Sequence, residues 1–457
     1  MLAAALFVAT LADWVPARWP TNDPASLELL HGTGVNCLLV EKQHWSSAFA
    51  DKAAEQKVAV LGVVRPGAEA VQAVRTAREQ RLTGVVLEGE FARAEADAAR
   101  KEAGDLAVVE LPARRGLRFD AGDAITGTYQ GVWPGVRPVD EKDKAHAMPT
   151  GGPWIDTNTG FLRFARAMRK GEFWIAVTPP EKQVIPVDRY FMAIGDAWMV
   201  GARWVLALDG DLWKRLQARE ETAVRDWKRI VQHARFYEEQ RRYRDLPIYG
   251  LMAVVQDAGS GALLSGSILD MIAVKHTPVR PVPGPRLSKE SLAKALMAVN
   301  IDPRGLSAEQ GEVLKEFSRS GGTVLNGPPE WKMPSDSKNH VTVDEEDVKK
   351  LDEIWKEMNG MIARGRNMGV RLFNVSSMLS FYQGVPGGDR AVLHLVNYSG
   401  YNVENVTAHV LGRYKKATLH LPEGKAVAME PYDVDEGEAT GLDLANVPAY
   451  AVVVMEK

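Results

Sequence analysis

The chain of 457 residues is longer than one ordinary domain, and domains of roughly 150 residues predict two to four of them. Hydrophobic residues at 46%, charged residues at 25% and a net charge of -3 are those of a soluble globular protein, with no electrostatic pull toward nucleic acid or an anionic membrane. A single cysteine, Cys37, excludes an intrachain disulfide framework, and no apolar run reaches the ~20 residues a bilayer span needs.

Residues 1–12 are apolar and small, and Thr10-Leu11-Ala12 offers the side chains a signal peptidase reads, although the basic n-region is missing. The expectation is the remnant of a signal segment and a periplasmic or secreted protein. The alternative is a buried extension of a cytoplasmic one. From Trp14 to about Asp245, short apolar runs alternate with amphipathic stretches, the pattern of parallel βαβ units. The runs fall at 15–19, 36–41, 58–64, 83–88, 106–111, 124–129, 173–177 and 203–208, with helical stretches such as 68–80, 160–170, 189–200 and 223–242. Eight such units predict a (β/α)₈ TIM barrel over 13–246. The helix after Leu111 is hardly visible, and 134–153 reads as a long loop.

A second α/β rhythm follows, with strands expected at 248–255, within 288–299 and at 323–325, and helices at 262–275 and 307–320. Gly321-Gly322 supplies the left-handed turn out of the last helix. Residues 247–335 therefore predict an amidotransferase- or flavodoxin-like α/β domain, with no cysteine of its own for amidotransferase chemistry. An amphipathic helix at 344–362 dominates a bridge over 336–370. Short strands broken by Gly, Pro and Asp then predict a β-sandwich over 371–457.

In such barrels reactive groups lie at the C-terminal ends of the strands. Three apolar runs finish in a glutamate, Glu41, Glu88 and Glu110, the fourth continues to Glu90, and the eighth ends at Asp209. Arg18 and Arg65 close the first and third strands, and Tyr129, Gln130 and Trp133 the sixth. Carboxylates after buried runs are costly unless they open into a polar cleft, and several at one rim suit general acid/base work on a glycosidic bond. Glu88 and Glu90, two apart on one strand, would point the same way with Cα atoms ~7 Å apart. A partner from another strand is then required: Glu41, Glu110 or Asp209. Trp45, Tyr129 and Trp133 are candidate sugar platforms, and Asp156 and Asn158 border a loop that is either an ordinary surface loop, the favoured reading, or a cover for the mouth. The nine histidines show no HExxH or HxH spacing, and neither a GxSxG elbow nor a GxxxxGK[ST] loop occurs. No metal and no cofactor is expected.

The order of barrel, α/β domain and sandwich resembles the three-domain plan of family 42 glycoside hydrolases, the β-galactosidases, and related bacterial barrel proteins. Residues 189–209, 306–325 and 393–401 carry the resemblance. It implies a glycosidase acting on an oligosaccharide or glycoside, and a homo-oligomer formed through the middle domain. Two departures stand out. The family's fourth strand ends in Asn-Glu, where this chain has Leu87-Glu88-Gly89-Glu90. Its seventh strand delivers a glutamate nucleophile, whereas here Thr178-Pro179-Pro180 precedes Glu181. The expectation is a hydrolase with Glu88 or Glu90 as general acid and inversion of configuration. The alternative is a carbohydrate-binding pseudoenzyme.

Overall fold

A computed structural model describes residues 11–119, 125–135, 157–256, 277–300, 303, 305–326, 349, 353, 356, 360, 368–375 and 377–457. Eight strands, β1 (Pro16–Arg18), β2 (Cys37–Val40), β3 (Ala59–Val64), β4 (Gly84–Glu88), β5 (Ala107–Leu111), β6 (Thr126–Thr128), β7 (Phe173–Ile175) and β8 (Arg203–Trp204), pair in parallel in chain order. A parallel bridge between Ala17 and Leu206 joins the last to the first, so the sheet is a (β/α)₈ barrel. Strand periodicity decides which side chains fill it: Leu39, Leu61, Val63, Val86, Val109 and Trp174 belong to the barrel interior. Their neighbours Leu38, Val60, Val85, Leu87 and Ile175 join the core under the helices. Each such aliphatic burial stabilises by about 1.5–3 kcal/mol. Gly127 is required where β6 meets β7, because a methyl there would overlap the Trp174 carbonyl.

Among the described residues the barrel helices are α1 (Ser47–Glu55), α2 (Ala70–Glu79), α3 (Arg93–Ala103), α4 (Thr159–Met168), α5 (Val187–Trp198), α6 (Gly210–Gln217) and α7 (Glu221–Gln240). Between β5 and β6 the described residues hold only a short 3₁₀ turn, Arg114–Gly116. On the floor, Arg203 is held by Glu172 at 2.6 Å and by both oxygens of Glu238 at 2.7 and 2.8 Å, while Arg241 and Arg244 also bind Glu172. Burial pushes the Cys37 thiol, in the barrel interior, well above its ordinary value, which leaves it inert.

The second domain is a four-stranded parallel sheet of β9 (Met252–Gln256), β10 (Val279–Pro283), β11 (Met297–Asn300) and β12 (Thr323–Asn326), in the order β10-β9-β11-β12. That is the order of a doubly wound layer, and nothing in it is particular to amidotransferases. The strand β10 lies outside the predicted ones, because Pro281 and Pro283 read as breakers; an edge strand tolerates them. Helix α8 (Ala308–Arg319) starts on a capping box of Ser307 and Gln310. The helix predicted over 262–275 lies outside the described residues, and the bridge helix over 344–362 is described at Lys349, Glu353, Lys356 and Gly360, each helical.

The C-terminal region is a sandwich of two antiparallel sheets. One runs β13 (Val370–Phe373), β16 (Val403–Leu411), β20 (Ala439–Val447), β19 (Tyr432–Val434). The other runs β14 (Met378–Gly384), β15 (Arg390–Asn397), β21 (Tyr450–Glu456), β17 (Lys416–His420), β18 (Val427–Met429). Leu393, Leu395 and Val453 face the first sheet, while Phe381, Val396, Tyr450 and Val452 join the core under the barrel helices. Tyr450 packs edge-on to Tyr237 of α7 at 4.8 Å. Barrel and sandwich therefore share one apolar core. Among the described residues no helix is long and apolar enough to cross a membrane.

Candidate functional site

The alternation that fills the barrel also selects what reaches its mouth. Continuing the inward positions past Leu39, Val63 and Val86 gives Glu41, Arg65 and Glu88, and Arg18 stands at the end of β1. These four side chains meet. Glu88 is 3% exposed, its Oε2 accepting from Arg18 Nη2 and its Oε1 from Arg65 Nη1, each at 2.7 Å. Arg65 Nη2 donates to Glu41 Oε1 at 2.7 Å, and Arg18 Nη1 lies 3.8 Å from the same oxygen. Arg18 also donates to the Ala176 carbonyl at 3.0 Å. Two cations and two anions thus form a neutral, closed network, whose mutual attraction offsets the cost of taking them from water. Burial alone would lower the Arg65 guanidinium, but the Glu88 and Glu41 charges outweigh it and hold it above its ordinary value. Tyr129 stands half-buried beside them; burial first, then the Glu90 and Glu88 charges, pushes its phenol up. A cavity of about 450 Å³ opens beside the network, lined by Arg18, Glu41, Thr178, Glu181, Asp209 and Asp211 among others.

The remaining sequence candidates are placed differently. Glu90 does not point with Glu88: β4 ends at Glu88, and Gly89 at φ 127 turns the chain, leaving Glu90 exposed on the rim of a flank groove. Glu110 faces away from the mouth. Its neighbours Val109 and Leu111 point into the barrel, so Glu110 points out at α3, where Arg100 binds it. Asp209 is at the mouth but fully engaged. Its Oδ1 caps α6 through the Asp211 and Leu212 amides at 3.0 and 3.1 Å, and its Oδ2 accepts from the Tyr190 hydroxyl at 2.8 Å.

The aromatic platforms divide in the same way. Trp45 lies against Gly62 on the outer face of β3, with its indole N–H on the Val40 carbonyl at 2.8 Å. Trp133 is 4% exposed and packs edge-on to Tyr190 at 5.2 Å and Trp204 at 5.1 Å. Only Tyr129 of the three faces the charged network. Gln130 accepts from the Arg114 amide at 2.9 Å. Asn158 is wholly buried, its Oδ1 accepting from the Val132 amide at 2.9 Å and its Nδ2 donating to Asp196 at 2.8 Å. Both position backbone rather than face the cavity. Asp156 lies outside the described residues. Glu181, passed over because it follows two prolines rather than a strand, is the carboxylate that the loop after β7 brings to the cavity.

No protein-family profile matches the chain, and no curated protein matches it in sequence. Solved structures do match. The alpha-L-fucosidase isoenzyme 2 from Paenibacillus thiaminolyticus superposes with a TM-score of 0.63 at 9% identity, over 96% of this chain and 99% of that one. The exo-carrageenase GH42 from Bacteroides ovatus gives 0.39 at 10% identity, over 77% and 54%. The catalytic module of a family 98 glycoside hydrolase from Streptococcus pneumoniae TIGR4 gives 0.32 at 8% identity, over 97% and 98%. The chain is a (β/α)₈-barrel protein whose fold is similar to that of the Paenibacillus alpha-L-fucosidase. At these identities the likeness speaks to fold alone.

Proposed function

We propose that the chain is a carbohydrate-active hydrolase that cleaves a glycosidic bond with carboxylates at the barrel mouth. The observation that carries this reading is the buried Glu88 carboxylate, gripped by Arg18 and Arg65 at an inward strand end beside an open cavity. Both of its oxygens accept from cations, so it fixes the Arg18 and Arg65 guanidinium groups at the strand ends and, through Arg65, positions Glu41. Glu90, exposed and outside that grip, donates the proton to the leaving oxygen. Glu41, with one oxygen on Arg65, lines the cavity, where it activates water. Attack by water from the face opposite the leaving group inverts the anomeric centre.

The test is a hydrolysis screen of wild type, Glu88→Gln and Glu90→Gln against aryl glycosides and oligosaccharides, with product anomers followed by NMR. Turnover lost in Glu88→Gln at retained fold supports the reading; retention of configuration would remove Glu41 as base. A second reading, a binding protein without turnover, draws on the closed ion network and on β7 ending without a carboxylate. Saturable glycan binding with no hydrolysis across the screen selects it.

A further inference from the structure

The flank groove beside Glu90 occupies about 1050 Å³ at the fifth unit, where the described residues between β5 and β6 hold only a 3₁₀ turn. Its walls are α3 on one side and the Arg114–Gly116 turn with the chain to Phe119 on the other. Gly89 and Glu90, the residues that follow the clamped Glu88, form its upper rim, so the groove continues the mouth. Five arginines line it: Arg93, Arg100, Arg115, Arg118 and Arg286. Arg100 binds Asp97 and Glu110, and Arg118 lies 3.6 Å from the other Glu110 oxygen. Arg286 donates only to the Ala167 and Met168 carbonyls, which leave its charge standing. Arg93 and Arg115 are exposed and form no ion pair among the described residues. Three arginines therefore stand against Glu90 alone, in a chain whose net charge is -3. Phe91, Leu117 and Phe119 add apolar surface between them.

We propose that the glycan handled at this mouth is anionic, with its carboxylate or sulfate groups seated on Arg93, Arg115 and Arg286 in the flank groove. The inference rests on the hydrolase reading above and supplies its substrate class. Planar guanidinium groups match carboxylate and sulfate oxygens two at a time, and the apolar wall suits the faces of the sugar rings between charged groups. The clamped ion network at the mouth is neutral, so the selection for charge lies in the groove and not at the reacting centre.

Calorimetric titration of the full chain with three oligosaccharides of matched length, a neutral galactan, an oligogalacturonate and a sulfated galactan, tests this. Binding of an acidic oligosaccharide about tenfold tighter than the neutral one is expected, with the preference largely lost near 1 M salt, where screening acts within about 3 Å. Comparison of the uronate and sulfate arms identifies which anion the groove prefers. The double variant Arg93→Glu, Arg115→Glu, both on exposed positions, should remove the preference. Equal binding of neutral and acidic chains, or a preference that survives the double reversal, overturns the inference and leaves the hydrolase reading standing. Failure of all three to bind brings down both.

Discussion

Removing the Glu88 carboxylate is the sharpest test of the mouth. In Glu88→Ala, Arg18 loses a 2.7 Å bond with its side chain only 13% exposed, whereas Arg65, 51% exposed, recovers water. A hydrogen bond to a charged group contributes about 1.5–3 kcal/mol, and stripping one partner from a buried pair costs more because the other charge stays behind. Counting Arg18 in full and discounting Arg65 for its exposure gives a loss of about 3 kcal/mol. At about 2–4 °C per kcal/mol for a barrel-sized unit, the first melting transition should fall by about 6–12 °C. Differential scanning calorimetry reads this without a substrate. Pairing Glu88→Leu with Arg18→Met, which removes both charges, should recover most of the loss. A Glu88→Ala variant that melts within about 2 °C of wild type would refute the clamp.

Four further outcomes follow from named contacts. Burial, with the Arg166 charge behind it, pushes the His394 imidazole down from 6.5 to about 3, so the unfolded chain takes the proton first. Stability is then complete above 6.5 and falls as the pH drops toward the folded value, by up to about 5 kcal/mol, and His394→Gln should flatten that part of a melting-against-pH curve. Asp209→Ala uncaps α6 and leaves the Tyr190 hydroxyl buried without its acceptor, a loss of about 3 kcal/mol in denaturant titration. Trp133→Ala should cost about 3–5 kcal/mol in the absence of any sugar, as a core deletion and not as a lost platform. Glu110→Gln should leave hydrolysis of a neutral aryl glycoside unchanged within about twofold, since its carboxylate faces Arg100 behind the strand.

The barrel was legible because most of its strands lie in short apolar runs that alternate with amphipathic helical stretches. Which strand-end residues face the mouth was legible too, but only through alternation. Glu88 and Glu110 both close the pattern Val-Val-x-Glu or Val-Val-Glu; counting from the inward Val86 and Val109 puts the first inside and the second outside. The fate of Glu90 was not legible, because it depends on the positive φ of Gly89, which composition permits without requiring it. The surroundings of the tryptophans were not legible for a related reason. An indole beside turn residues reads the same whether its ring lies on a sugar or on Gly62, and only the tertiary fold distinguishes the two. The engagement of Asp209 by Tyr190 likewise joins positions 19 residues apart through the packing of α5.

The mouth is divided by how its polar groups are balanced. On the side of β1 to β4, four charged side chains neutralise one another and keep contact with an open cavity. On the side of β6 to β8 the polar groups are paired with the scaffold. Tyr398 of the sandwich donates to Asp196 of α5 at 2.6 Å, and Asp196 accepts from the Asn158 amide at 3.0 Å. Asn158 in turn holds Val132, next to Trp133, whose ring meets Tyr190, and Tyr190 donates to Asp209. Burial raises the Asp196 carboxyl even though Thr157, Tyr398 and Asn158 all hydrogen-bond to it, so the interior bears a real desolvation cost there. That cost goes with a continuous connection from the sandwich through α5 to the far wall of the cavity. On the hydrolase reading proposed above, the wall fixed by buried hydrogen bonds is the surface that would hold the ring, and the facing half rich in charge is the one that would meet the charge developing on it.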